Sequence, residues 1–242
     1  TVSPQGNRAV VTFGSATDQN AFVLVNTTTN QAVATVELTN SGGLGQPVFN
    51  ATGSRLYVPY VEPGGDANHW NGRVAVVDPV TGAVLSRLDY QASYSANGWP
   101  GSLFANPVDD RVYGIDATAT LLVVDPATDH TTRVALGPEV LGNPDNGRPV
   151  VVGASSDGRT LYAVNWLDNT VSLVDTTSYS VTTSQLSPGA DDLEAGDGVK
   201  LRLVVPTQLD QAVPKWLAIL DNTGALSAVI PETGTSAALA AL

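Results

Sequence analysis

Ser155-Ser156-Asp157-Gly158-Arg159-Thr160-Leu161-Tyr162-Ala163-Val164-Asn165-Trp166-Leu167-Asp168-Asn169-Thr170-Val171-Ser172-Leu173-Val174-Asp175-Thr176-Thr177-Ser178 holds two short apolar strands, each bounded by a turn. Ser155–Gly158 is a turn that feeds the strand Leu161–Val164. Asp175, with Ser178 three residues on, closes the strand Val171–Val174. Asp or Asn with a hydroxyl three positions later marks a tight turn, because the side chains cap backbone N–H groups.

The pattern recurs along the chain. Phe22–Asn26, Val74–Asp78, Leu121–Asp125, Val171–Asp175 and Leu217–Asp221 are all short apolar strands ending in Asn or Asp. The closing residues stand at 26, 78, 125, 175 and 221, so the intervals are 52, 47, 50 and 46. Upstream of four of them, Ser3–Gly6, Asn50–Gly53, Asn106–Asp109 and Ser155–Gly158 are turns into Ala9–Phe13, Leu56–Val58, Val112–Ile115 and Leu161–Val164. Tyr57, Tyr113 and Tyr162 hold one slot, with Val10 in the first copy. Gly196–Gly198 before Val199–Val205 is a degraded fifth copy. A further apolar strand precedes three of the turns: Val48-Phe49, Leu103-Phe104 and Val150–Val152.

Each repeat therefore reads as a four-stranded meander, A to D, of about 48 residues, a length within the range of propeller blades. The expected fold is all-β: one five-bladed β-propeller of four-stranded antiparallel blades. The blades fall at about 1–40 plus 236–242, 41–90, 91–137, 138–187 and 188–235. The first repeat has no strand A before Ser3, whereas Ser236–Leu242 is an apolar segment left over after the fifth. Pairing this segment into the first blade is expected to close the ring and remove an exposed edge.

Composition agrees. The 242 residues include 33 Val and 25 Thr, which suit a pleated surface, and 23 Gly and 15 Pro, which leave little room for a long helix. Cys and Met are absent, which excludes thiol catalysis, disulfides and Cys-ligated metal centres. Eleven Lys and Arg against 23 Asp and Glu give a net charge of -12, which argues against a phosphate-tracking nucleic-acid surface. No apolar run approaches the ~20 residues of a membrane span, so membrane insertion is not expected. A chain opening at Thr1 with no basic or apolar leader reads as a processed mature form, its targeting segment removed.

Ser155–Ser178 resembles the repeat of the YVTN-family β-propellers, with their SPDGxxLYV turn-and-strand and NTVSVID-like strand. Ser3–Leu38, Asn50–Leu88 and Asn106–Leu136 match more loosely. The resemblance implies a bacterial or archaeal secreted or cell-surface protein. It departs in number, since such propellers usually have seven blades. Lactonases, quinoprotein amine dehydrogenase subunits and surface-layer modules share the fold, so the resemblance implies no catalytic residue.

In such a meander the A–B and C–D turns lie on one face and the B–C and D–A connections on the other. The short turns are all A–B or C–D. The long segments Tyr60–Arg73, Asp89–Gly101, Gly137–Pro149, Ser187–Asp197 and Pro206–Lys215 belong to the second face, the expected binding surface. Candidate binding residues there are Tyr60, Glu62, Asp66, His69, Trp70, Tyr94, Trp99, Asp145, Trp166 and Asp168, with Tyr90 on the same connection as Tyr94. Aromatics beside Asn and Asp stack on sugars or anchor a protein partner. Asp191, Asp192 and Glu194 are weak candidates for a Ca2+ site, since no EF-hand spacing is present; no other cofactor is expected. The two His belong to different repeats, and no nucleophile elbow, zinc motif or phosphate loop occurs. The expected function is an extracellular or cell-surface binding or assembly module with a protein or glycan partner. Two alternatives stand beside it: a lactonase-like or quinoprotein-subunit-like propeller enzyme whose acids bind a cation or substrate, and a structural subunit of a surface layer or filament.

Overall fold

A computed structural model of the protein describes residues 1–12, 21–38, 43–63, 70–93, 103–116, 119–136, 150–155, 157–165, 170–185, 202–204, 216–220 and 226–231. Among the described residues all strands pair antiparallel, in five sheets that follow chain order. The chain divides into two compact units, Thr1–Gly137 and Pro138–Leu242.

In the first unit, β1 (Arg8–Thr12), β2 (Ala21–Asn26) and β3 (Gln31–Glu37) form a three-stranded sheet. The second sheet contains β4 (Gly43–Leu44), β5 (Val48–Phe49), β6 (Leu56–Pro63), β7 (Trp70–Val77) and β8 (Val84–Ser93). The third has β9 (Leu103–Ala105), β10 (Val112–Ile115), β11 (Thr120–Asp125) and β12 (His130–Ala135). In the second unit, β13 (Val150–Ala154), β14 (Thr160–Asn165), β15 (Thr170–Asp175) and β16 (Val181–Gln185) make a four-stranded sheet. The last sheet is β17 (Arg202–Val204), β18 (Trp216–Leu220) and β19 (Leu226–Pro231). The predicted A–B–C–D order is present in the second, third and fourth repeats. The segment Ser236–Leu242 lies outside the described residues.

Strict alternation along the strands builds the core of the first unit. On β6, Leu56, Val58 and Tyr60 join Ala75 and Val77 against Phe22, Leu24 and Val36 of the first sheet. Tyr57, with Val74 and Val76, packs the opposite way, against Val112, Leu122 and Val124 of the third. The second sheet is thus apolar on both faces, and burying each apolar side chain contributes about 1.5–3 kcal/mol. The shared slot is core in every described copy: Val10, Tyr57, Tyr113 and Tyr162 are all buried.

Pro59 stands inside β6, where a missing N–H would normally break a ladder. Its carbonyl accepts from Gly45 N at 2.7 Å. In an antiparallel strand a residue's N–H and C=O point to the same neighbour, so the absent donor faces strand A. Strand A is itself interrupted there, into β4 and β5. The gap and the proline match.

The turns are more uniform than the strands. Ser3, Asn50, Asn106 and Ser155 are buried, and each backbone N–H donates to the carbonyl five residues on (2.8, 3.1, 2.9 and 2.8 Å). In the C–D turns, Asn26, Asp78, Asp125 and Asp175 accept from the backbone N–H two residues later (2.9, 2.7, 2.9 and 2.9 Å). Four residues after each, Asn30, Gly82, Asp129 and Tyr179 adopt left-handed φ of 55, 78, 53 and 58°. The sequence reading of these Asx residues as turn formers holds; Asp221 lies outside the described residues.

Candidate functional site

The A–B and C–D turns of the first unit meet one another across sheets. Gln5 donates to the Thr52 carbonyl at 2.6 Å. Asp110 accepts from Thr52 N, Thr52 Oγ1 and Asn50 Nδ2 at 2.9, 3.1 and 2.9 Å. Arg8 Nε reaches the Pro79 carbonyl at 3.1 Å. This end of the sheets is fixed by its neighbours.

The other end is where the candidate binding residues are expected, and the second sheet extends beyond the third there. Its strands β6, β7 and β8 run 8, 8 and 10 residues, against 4, 6 and 6 for β10, β11 and β12. Tyr60 and Glu62, expected in a loop, belong to β6. Pairing continues as far as Pro63 opposite Trp70, because aromatic, β-branched and ion-paired side chains keep both strands extended. Tyr60 is wholly buried in the core against the first sheet, so it is not a surface anchor. Burial raises its phenol pKa, against the opposing pull of the Arg87 guanidinium. Tyr90, also expected in a connection, lies on β8, is buried, and donates to the Ile115 carbonyl at 2.8 Å.

Glu62 is committed to Arg73, with Nε to Oε1 at 2.5 Å. Arg73 also pairs with Asp89, directly across from it in the β7–β8 ladder. Arg133 of β12 donates to the Asp89 carbonyl and stands 3.8 Å from the carboxylate of Asp116. Asp116 is buried and accepts from Thr120 N at 3.0 Å, closing the short β10–β11 connection. Charges thus alternate along the base of the long hairpin: Glu62, Arg73, Asp89, Arg133, Asp116. Each carboxylate has a cation beside it, an arrangement that braces strands rather than moves protons. Sequence reasoning missed Arg73, Arg133 and Asp116. For Arg73 the available signal was an acid, Asp89, opposite it in the next strand; Arg133 stands opposite Leu122 and offered no such signal.

Trp70 opens β7, opposite Pro63 on one side and Ser93 on the other. Asp66, His69, Tyr94, Trp99, Asp145, Trp166, Asp168, Asp191, Asp192 and Glu194 lie outside the described residues. Among the described residues, no group of three or more acids and His is placed to hold a metal. No helix there is long and apolar enough to cross a membrane.

No protein-family model and no curated protein matches the chain. Among solved structures it is similar to the β-propeller domain of Cps50 (Swd1) from Myceliophteria thermophila, with a TM-score of 0.56 and 10% identity. That likeness covers 90% of this chain and 61% of the other. The chain has a β-propeller fold. Kuenenia stuttgartiensis hydrazine synthase is a second neighbour of this propeller, with a TM-score of 0.54 and 17% identity over 73% of this chain and 57% of that one. The propeller therefore spans about three fifths of the length of each neighbour. At such identities the likeness concerns fold alone, and the four-stranded sheets match propeller blades.

Proposed function

We propose that the protein is a binding or assembly module that engages a protein or glycan through the B–C and D–A face of its propeller. The observation that carries this reading is the contrast between the two ends of blade 2. One end is locked to its neighbours by repeated turns. The other projects as a hairpin braced by Glu62, Arg73 and Asp89 and carries Trp70 at the start of β7. A rigid stem under a variable loop is the usual way a scaffold presents contacts. Trp70 and Trp99 are the anchors of this reading; Tyr60 and Glu62 are withdrawn from it, being core and ion-paired.

The finer architecture belongs to the same proposal: a YVTN-type ring of five blades, secreted or displayed at the cell surface, with Ser236–Leu242 completing blade 1. Register supports closure. Val2 pairs with Ala9 as Phe49 pairs with Leu56, Ala105 with Val112 and Ala154 with Leu161. Thr1 and Val10 exchange backbone hydrogen bonds (Val10 N to Thr1 O, 2.8 Å), so the last two positions of strand A are filled and β1 offers the next ones.

The test is binding of the full chain, and of Trp70→Ala and Trp99→Ala, to a glycan array and to candidate surface proteins. A tenfold or greater loss for either variant is expected, since an aromatic anchor contributes upwards of about 1.4 kcal/mol. Unchanged affinity in both removes the anchors.

A further inference from the structure

We infer that the junction of blades 2 and 3 holds one ordered water molecule between Arg55, Tyr57 and Asp129. Tyr57 is fully buried, and among the described residues its hydroxyl has no hydrogen-bond partner. Arg55 Nε and Asp129 Oδ1 are likewise buried and without a hydrogen-bond partner among the described residues. Those two atoms are 3.8 Å apart, too far for a hydrogen bond and close enough for one molecule to touch both. Burial, reinforced by the negative charge of Asp129, holds the phenol protonated, so Tyr57 can both donate and accept. The set is thus one fixed donor, one fixed acceptor and one group that serves as either. A water accepting from Arg55, donating to Asp129 and exchanging with Tyr57 satisfies all three, and buried waters typically make about three such bonds.

The other repeats show why the site belongs here. In blade 1 the tyrosine slot is Val10, no hydroxyl needs a partner, and Arg8 reaches the next blade's turn directly at Pro79. In blade 3 the hydroxyl of Tyr113 donates to Asp109 of its own turn at 2.6 Å. Blade 2 has Gly53 where blade 3 has Asp109, so Tyr57 has no acceptor on its own turn. The C–D turn of blade 3 places Asp129, in a left-handed conformation, beside Arg55, at the same strand end as Tyr57.

A crystal structure of the full chain at about 1.5 Å resolution, where ordered waters are visible, tests this directly. Ordered density within hydrogen-bonding distance of all three atoms is expected. Direct closure of Tyr57 onto Asp129, or empty density, overturns the inference. Tyr57→Phe keeps the ring and removes one partner of the water. Its melting temperature should fall by about 2–4 °C. An equal or higher value means that the hydroxyl was merely orphaned, and also overturns the inference. In an Arg55→Met background the same substitution should cost less than half as much, because the bridge is already broken. An undiminished effect counts against a shared water.

Discussion

Blades 2 and 3 start alike and end differently. Both open on a buried Asn, Asn50 or Asn106, whose backbone donates five residues on, and both place a buried tyrosine at the same slot. At the far end, β6 runs on to Pro63, whereas β10 stops at Ile115 and is closed by Asp116 through Ala119. Within the first unit the turn ends of blades 1 and 2, and of blades 2 and 3, touch, so their lengths and residues are constrained from outside. The loop end of blade 2 is tied to blade 3 through Arg133 and the Tyr90 hydroxyl, and its hairpin lengthens as cross-strand pairs continue to form. Blades 2 and 3 agree at the turn end and differ at the loop end.

Gly82→Ala tests the turn end most severely. An added Cβ would overlap Ala34 of blade 1, and the left-handed backbone adds strain. The expected loss is about 2–4 kcal/mol in chemical denaturation. Gly6→Ala has the same handedness and open space around the added atom, so it should lose only about 1 kcal/mol. Equal losses would mean that conformation, not inter-blade packing, sets the cost.

Asp110→Ala and Arg73→Met set the two ends side by side. Removing Asp110 releases three hydrogen bonds from the neighbouring turn, and a loss of about 1–2 kcal/mol is expected. Removing Arg73 breaks two partly exposed ion pairs, and the expected loss is below about 1 kcal/mol. A reversed order in urea midpoints would contradict the assignment of rigidity to the turn face.

The smallest effect is a pH dependence. The backbone N–H groups of Val80 and Ser178, helped by nearby hydroxyls, hold the carboxyls of Asp78 and Asp175 below their ordinary value. A carboxyl lowered by folding stabilises fully above its unfolded value, about 3.9, and loses that contribution as pH falls through the folded one. Thermal stability should therefore be level from about pH 7 to 5 and decline below about 4. Asp175→Asn keeps a capping oxygen, as Asn26 does in blade 1, and should make the acid decline shallower. An unaltered slope would show that the cap does not carry it.

Much of the architecture was legible in the chain. The Asx residues at 26, 78, 125 and 175 and the Tyr57, Tyr113 and Tyr162 slot report local turns and a period-two pattern, both written in neighbouring residues. The reach of β6 was not legible, because Tyr60 and Glu62 look the same in a loop as in a strand until Arg73 is known to face them. Nor was the burial of Ser3, Asn50, Asn106 and Ser155. Small polar residues read as exposed turn formers, and at Asn50 the covering group, Asp110, comes from the next blade's turn. Of the candidate site, the base is now resolved into core and ion pairs, and the loops above it carry the proposed contacts.

Asn50 carries one last consequence. Asn50-Ala51-Thr52 is an acceptor pattern for N-linked glycans. In the folded protein the Asn50 amide nitrogen is buried within hydrogen-bonding reach of Thr52, Ser54 and Asp110, so both of its N–H groups are engaged and it is closed to modification. A sugar could be attached only before blade 2 folds, and it would then displace the donor that holds Asp110 of blade 3. A host that glycosylates this sequon during synthesis should therefore yield misassembled chains, whereas Asn50→Ser, matching Ser3 and Ser155, would escape the modification.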